Sequence, residues 1–196
     1  CRVCGRIAGT CGTKVKWDLD EEGTLTIYGT GAMSGSWDAT EIPWYPYLES
    51  IKKAVVCEGV TSVGTSAFYN CVNLSEVLLP DSLRSIEYQA FQYCTALTEI
   101  IIPESVTSIS VSAFYGCSNL TKVNIPKNIT TINSYTFYNC SSLTEIEIPA
   151  GVTKIGSDAF HGCSSLKTVN IPDSVTCIDF WAFDKCSSLT SLKLPA

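Results

Sequence analysis

The sequence predicts an α/β solenoid, a curved coil with a parallel β-sheet on its concave side and short turns on its convex side. Three series of residues recur at a constant spacing of 23 positions from about residue 57 onward. A unit of this length cannot bury its own apolar side chains, so successive units must stack and share one core. The series are Phe at 68, 91, 114, 137, 160 and 183, Cys at 71, 94, 117, 140, 163 and 186, and Pro at 80, 103, 126, 149, 172 and 195.

One unit, residues 143–166, shows which segment is expected to form which element. Ile146 and Ile148 alternate with acidic residues, which predicts a short half-buried strand, and the next residue is a proline, which cannot donate to the strand ladder. Val152 and Ile155 are expected to point inward from a second extended piece. The Ala-Phe-x-x-Cys motif that follows predicts a single helical or 3-10 turn that buries the Phe and Cys side chains.

The front of the chain predicts a cap for the first coil. Val15, Trp17 and Leu19 alternate with polar residues, and a glycine-containing turn leads on to Leu25 and Ile27, which is the pattern of a β-hairpin over residues 14–28. An open solenoid exposes the core of its terminal coil and needs such a cover. We therefore expect an N-terminal cap over residues 1–50 and a repeat array over residues 51–196, with one partial and about six complete units.

Aromatic residues supply the expected lid of this cap. Trp17, Trp37 and Trp44 are the candidates, and an apolar covering role is favoured over an exposed aromatic cage for a ligand. The segment Tyr47 to Lys53 is expected to form a short helix or turn just before the first coil.

Composition excludes several classes of function. Thirteen basic residues against nineteen acidic ones give a net charge of -6, which removes the attraction that dominates nucleic-acid binding. No apolar run approaches the roughly 20 residues that span a bilayer, so no membrane insertion of this chain is expected. No motif for a cofactor is present.

The eleven cysteines divide into a ladder of six and five others. Equivalent residues in adjacent coils lie about 4.8 Å apart with parallel Cα–Cβ directions, a poor geometry for disulfides, so the ladder is expected to consist of buried free thiols. Cys57 and Cys177 are too far apart to pair. A disulfide between Cys4 and Cys11 and unpaired terminal cysteines are both compatible with the sequence. Cys1 and Cys4 form half of a zinc motif with no second half, and no metal site is predicted.

The sequence offers little for catalysis. Nucleophilic catalysis by a triad needs a histidine beside the nucleophile, and the single histidine, His161, occupies a variable position that we expect to be surface decoration. Glu145 and Glu147 lie on an open strand with nothing nearby to raise the pKa of one of them, as a glycosidase requires. The chain is therefore not expected to be an enzyme.

If the chain binds a ligand, the outward positions of the strands are the expected site, because the inward positions are fixed by packing. Leu78 and Ile101 would form a small apolar patch among acidic residues there. The competing surfaces are a convex stripe of Tyr69, Tyr115 and Tyr138, and the pair Phe180 and Trp181, which we expect to cover the end of the last coil. The candidate binding residues are Glu76, Leu78, Glu99, Ile101, Lys122, Asn124, Glu145, Glu147, Thr168, Asn170, Ser191 and Lys193.

The consensus L-x-x-I-x-I-P-x-x-V-T-x-I-x-x-x-A-F-x-x-C-S-S, present from about Ile51 to Ala196, resembles the BspA-like leucine-rich repeat family. Residues 11–33 also resemble the cap of such proteins, through the run Cys11-Gly12-x4-Trp17-x-Leu19-x3-Gly23-Thr24-Leu25-Thr26-Ile27-x-Gly29-x-Gly31-x-Met33. Thr136 departs from the alanine that usually precedes the phenylalanine.

The resemblance implies a secreted or surface-attached bacterial protein, extracellular or on the cell surface. Relatives include adhesins that bind host matrix proteins such as fibronectin and fibrinogen, so a protein ligand bound at the concave face is the expected partner. The alternative is a structural spacer or stalk in a larger surface protein, with no ligand of its own. The array also stops just after a strand, from which we expect either a fragment of a longer protein or an exposed last coil.

Overall fold

The computed structural model describes residues 6–193 and is a parallel β-solenoid of about six coils spaced 23 residues apart. One side of the coil, called the first face here, carries one short strand from each coil. Where these strands pair they are parallel and in register, so that Ile146 lies opposite Val169. The strands are β5 (Lys53–Val56), β7 (Glu76–Leu78), β9 (Glu99–Ile100), β11 (Lys122–Val123), β13 (Glu145–Glu147), β15 (Thr168–Asn170) and β17 (Ser191–Lys193).

The second extended piece of each coil forms a further parallel ladder, called the second face, which the sequence pattern did not predict. Here Ser62 pairs with Ser85 and Ser85 with Ser108, one residue from each of three successive coils. The strands are β4 (Gly31–Ala32), β6 (Val60–Val63), β8 (Ser85–Ile86), β10 (Ser108–Ile109), β12 (Thr131–Ile132), β14 (Lys154–Ile155) and β16 (Cys177–Ile178).

The third side consists of the turn segments that carry the Phe and Cys residues, and these are not the predicted helical turns. The amide of Tyr115 donates to Ser112 in its own coil, whereas the amides of Phe114 and Gly116 donate to Thr136 and Tyr138 in the next coil. Along this segment, one backbone amide therefore hydrogen-bonds within its own turn and the next hydrogen-bonds to the neighbouring coil. Two positions per coil have positive φ, represented by Ser112 and Gly116 at 59° and 70°.

The core is a stack of aromatic rings that runs through the coils. Phe91 and Phe114 have centroids 5.4 Å apart and planes inclined by 3°, and the other neighbouring pairs from Phe68 to Phe183 are stacked in the same way. The coil spacing suits ring stacking, so one Phe from each coil can occupy the centre of the solenoid.

The predicted hairpin over residues 14–28 consists of β2 (Val15–Leu19) and β3 (Thr24–Gly29), with β1 (Ile7–Thr10) along its outer edge. Strand β3 pairs in parallel with β5, so the hairpin continues the first face while its buried side covers the core. The division of the chain at residues 50 and 51 stays a prediction.

Two of the three proposed lid residues are buried and the third is not. Trp17 and Trp44 pack edge to face with centroids 5.7 Å apart, and Trp44 continues the stack onto Phe68. Trp44 also donates from Nε1 to the carbonyl of Ala67. Trp37, in contrast, is 79% exposed, so its expected covering role is wrong. Two 3-10 helices, Ala39–Glu41 and Tyr45–Ser50, complete the connection to β5, the second where a short helix or turn was expected.

Candidate functional site

The twelve candidate residues lie on the first face in two rows, because alternate residues of each strand point the same way. All are exposed except Asn124, which is half-buried. Register places Glu99 beside Lys122 and Glu147 beside Asn170, and it sets Thr168 and Asn170 beside Ser191 and Lys193. The first row is Glu76, Glu99, Lys122, Glu145, Thr168 and Ser191, and the second is Leu78, Ile101, Asn124, Glu147, Asn170 and Lys193.

Charge is distributed unevenly along this face. Lys53 pairs with Glu76 at 2.8 Å, and Lys122 pairs with Glu99 at 3.1 Å. Exposed pairs of this kind contribute little to stability, but they neutralise the acids concerned. Glu145 and Glu147 form no ion pair with any described residue, so the negative potential is concentrated at β13.

Two adjoining depressions follow the face. The first, of about 420 Å³, lies between β7 and β9 and is lined by the apolar side chains of Leu78 and Ile101 together with Glu76 and Glu99. The second, of about 560 Å³, is lined by Ile101, Lys122, Glu145, Glu147 and Asn170 among others. They share Ile101, which is 69% exposed, and together form one groove that leads from an apolar end to an acidic end.

Asn124 is held within the fold rather than offered to a ligand. Its Oδ1 accepts from the amide of Ile102 and its Nδ2 donates to the carbonyl of the same residue, each at 2.7 Å. Strand β11 ends at Val123, and the amide side chain replaces the next pair of ladder hydrogen bonds. A single asparagine in a row of mixed residues gave no signal of this role.

His161 is buried, so its expected role as surface decoration is wrong. Its ring stacks on Tyr138 with centroids 4.6 Å apart, and its Nδ1 lies 3.3 Å from Asp158 and 3.4 Å from Asp184. Tyr138 stacks in turn on Tyr115. The predicted tyrosine stripe is therefore largely a half-buried aromatic ladder that ends at His161.

The cysteine ladder consists of buried free thiols. Each thiol from Cys94 to Cys186 donates to the carbonyl of the Phe 26 residues earlier, as Cys117 does to Phe91 at 3.1 Å. Burial raises the pKa of all six ladder thiols, to about 12 at Cys117 and about 11 at Cys186. At neutral pH they are protonated and unreactive, since the thiolate is the nucleophile and metal ligand.

The remaining described cysteines are also free. Cys11 is buried, whereas Cys177 is exposed, and a hydrogen bond to Asp179 raises the pKa of the Cys177 thiol. Cys1 and Cys4 lie outside the described residues. Within residues 6–193 no three His, Cys, Asp or Glu side chains come close enough to hold a metal ion. No helix in that part of the chain has the length and apolarity to cross a bilayer.

Phe180 and Trp181 do not cover the last coil. Both are exposed, Trp181 at 69%, and their ring centroids are 6.2 Å apart. Trp181 also occupies one of the positive-φ positions, which Ser66, Ser112 and Asp158 fill in other coils with buried side chains.

Three of the solved structures that are similar to this chain are bacterial leucine-rich repeat proteins. A leucine-rich repeat protein of T. pallidum is 22% identical, matches with a TM-score of 0.56, and covers 95% of this chain and 83% of its own. A leucine-rich repeat protein of Eubacterium ventriosum is 22% identical, with a TM-score of 0.47 and coverage of 97% and 85%. A leucine-rich cell surface protein of Faecalibacterium prausnitzii is 19% identical, with a TM-score of 0.48 and coverage of 95% and 94%.

The curated proteins contain no significant match to this chain. The family model described as the BspA type leucine-rich repeat region matches residues 44–144 and 130–196 in six copies, which is more than half of the chain. Together with the 23-residue coils and their Phe and Cys ladders, this match shows that the chain belongs to the BspA-type leucine-rich repeat family.

Proposed function

We propose that the chain is a protein-binding module that takes an extended segment of its partner into the groove of the first face. The family supports an interaction or surface module in general. The observation that carries the proposal is the change from apolar to acidic side chains along the groove. The apolar patch of Leu78 and Ile101 is followed within two coils by the unpaired carboxylates of Glu145 and Glu147.

Such a groove favours a segment with one or two aliphatic or aromatic anchors and a lysine or arginine farther along. Ile101 loses its exposed apolar area when an anchor covers it, which favours binding at about 25 cal/mol per Å². A basic side chain would pair with Glu145 or Glu147. The acidic surface would also steer basic partners toward the groove and repel acidic ones.

The partner, in this proposal, is a surface protein of a host, including extracellular matrix proteins, and the chain acts outside the bacterial cell or on its surface. The six ladder thiols are compatible with an oxidising environment because they are protonated and shielded from oxidants, whereas Cys177 is exposed. The sheet of the first face is taken to be concave, as the sequence analysis predicted, and the module is non-enzymatic.

Binding of the immobilised chain to fibronectin and fibrinogen tests the proposal. Ile101→Glu and Glu147→Lys are expected to weaken binding at least about tenfold, as for hot-spot residues. Ser108→Glu is the matched control, since Ser108 is exposed in the same coil but on the second face. Binding that survives both groove substitutions would contradict a role for this face.

A structural spacer is the second candidate, favoured by the unbroken Phe stack and by hydrogen bonds that join every described coil to the next. If neither matrix protein binds to the wild-type chain while the chain remains folded, the spacer role is favoured over the adhesive one.

A further inference from the structure

A depression of about 430 Å³ lies at the junction between the cap and the first two coils, away from the first face. It is bounded on one side by the loop after β4 and on the other by the turn segments of two coils. Its lining includes Trp37, Asp38, Tyr45, Ser66, Tyr69 and Gln89. None of these residues takes part in the groove of the first face.

Trp37 is exposed yet held in place. One side of its indole packs on Tyr88, with centroids 4.8 Å apart and planes inclined by 44°, while 79% of the residue remains accessible. The loop that carries it is fixed by the amide of Ser36, which donates to the carbonyl of Thr65 in the first coil, and by the Ser36 hydroxyl, which donates to Glu41. The indole is thus a preformed apolar platform, which lowers the entropic cost of binding.

Polar groups surround this platform. The Oδ1 atom of Asp38 accepts from the amide and the hydroxyl of Thr40, and these hydrogen bonds lower the pKa of the Asp38 carboxyl and keep it ionised. Gln89 also lines the depression and is half-buried.

Ser66 lines the depression but does not offer its hydroxyl to it. The residue is only 2% exposed, and its hydroxyl oxygen is shielded from solvent and has no hydrogen-bond partner among residues 6–193. The side chains that can present polar groups to a ligand are therefore those of Asp38, which is exposed, and Gln89, which is half-buried.

We propose that this depression is a binding site for a neutral saccharide. A pyranose ring has an apolar face of C–H groups, which fits flat on the indole of Trp37, and an equatorial rim of hydroxyls, which can bond to Asp38 and Gln89. Aromatic walls with a few fixed polar groups are the usual construction of small-ligand sites. No basic side chain lines the depression, and the carboxylate of Asp38 would repel sialylated or phosphorylated sugars.

The test is a titration of the whole chain, followed by tryptophan fluorescence and by saturation-transfer NMR, with maltotriose, cellotriose, mannotriose and triacetylchitotriose as probes. We expect at least one of them to bind. Trp37→Ala should weaken this binding at least about tenfold. Trp181→Ala is the matched control, because Trp181 is a similarly exposed tryptophan in the last described coil, and it should leave the affinity within about twofold.

Two further variants separate the hydrogen-bonding part of the site from the stacking part. Asp38→Asn and Gln89→Glu should change the preference among the four sugars while circular dichroism shows an unchanged fold. The proposal is overturned if none of the four binds, or if Trp37→Ala binds as well as the wild type. It is likewise overturned if tetramethylammonium changes the tryptophan fluorescence in a Trp37-dependent way and no sugar does, which would identify a cation site instead.

Discussion

Single side chains decide which parts of the first face are available to a ligand. Asn124 and Asn170 occupy the same position in coils two apart, yet only Asn124 bonds to the backbone of the preceding coil. Asn170 is instead the last residue of the longer strand β15, whose pairing with the neighbouring strands extends to residue 170. The same residue type at equivalent positions therefore serves the fold in one coil and faces solvent in the other.

Asn124→Ala is predicted to lower the free energy of unfolding by about 1 to 3 kcal/mol. Two short hydrogen bonds are lost, and the backbone N–H and C=O of Ile102 are left without their partner. Asn170→Ala should change it by less than about 0.5 kcal/mol, as is usual for surface substitutions. Urea unfolding of the two variants measures both values. Equal losses in the two variants would show that the hydrogen bonds of Asn124 do not contribute to stability.

The turn segments are the elements that give this solenoid its most specific backbone requirement. Four residue types fill the second positive-φ position of the six coils, in order Asn70, Tyr93, Gly116, Asn139, Gly162 and Lys185. Glycine and asparagine adopt this conformation readily, whereas lysine does so at a cost of about 1 kcal/mol or more. The alternating hydrogen bonds to the next coil hold the less suitable residues in place.

Lys185→Gly is predicted to raise the free energy of unfolding by about 0.5 to 1 kcal/mol, since removal of the strain outweighs the greater entropy of glycine in the unfolded chain. Lys167→Gly is the control, because Lys167 is an exposed lysine without positive φ, and it should lower stability by a similar amount. The midpoints of thermal unfolding report both effects. A lower midpoint for Lys185→Gly would contradict the strain at this turn.

At the scale of the whole molecule, the repeat period predicted the stacked architecture, the buried Phe and Cys series and the strands of the first face. These features recur in each of the six units, so a single sequence contains enough copies to recognise them. The burial of His161, the exposure of Trp37 and the bonding of Asn124 depend instead on the neighbour one coil away. His161 is covered because Tyr138 lies one coil spacing from it, and a position that varies among coils gives no sign of such a pairing.

The second face and the form of the turn segments were missed for a related reason. Two-residue strands such as β8 and β10 are too short for an alternating pattern to be recognised. Positive φ at Ser112 or Tyr135 leaves no trace in the residue type, because non-glycine residues occupy most of these positions and tertiary hydrogen bonds impose the conformation. The candidate residues lie on the first face, as the sequence pattern predicted, but the division of that face into apolar and acidic ends could be seen only from the ion pairs of Lys53 and Lys122.

The buried thiols are expected to make the whole array less stable at alkaline pH. Burial raises the pKa of seven described thiols in the folded chain, Cys11 and the six of the ladder, above the ordinary value of 9.0. Below about pH 9 the thiols are protonated in both states, and stability does not depend on them. Above it the unfolded chain loses protons that the folded chain retains, so stability falls until the pH reaches the folded pKa values.

Each such thiol lowers the free energy of unfolding by up to about 1.4 kcal/mol per pH unit in this window, and seven together by up to about 10 kcal/mol. Because a folded domain is stable by only about 5 to 15 kcal/mol, the chain is predicted to unfold between about pH 10 and 11. Urea unfolding in reductant from pH 7 to 11 measures this dependence. Cys117→Ala should reduce the slope above pH 9 by about one proton relative to the wild type, a difference that isolates the thiol from lysine and tyrosine titration. Identical slopes in the two proteins would contradict the retention of the Cys117 proton in the folded chain.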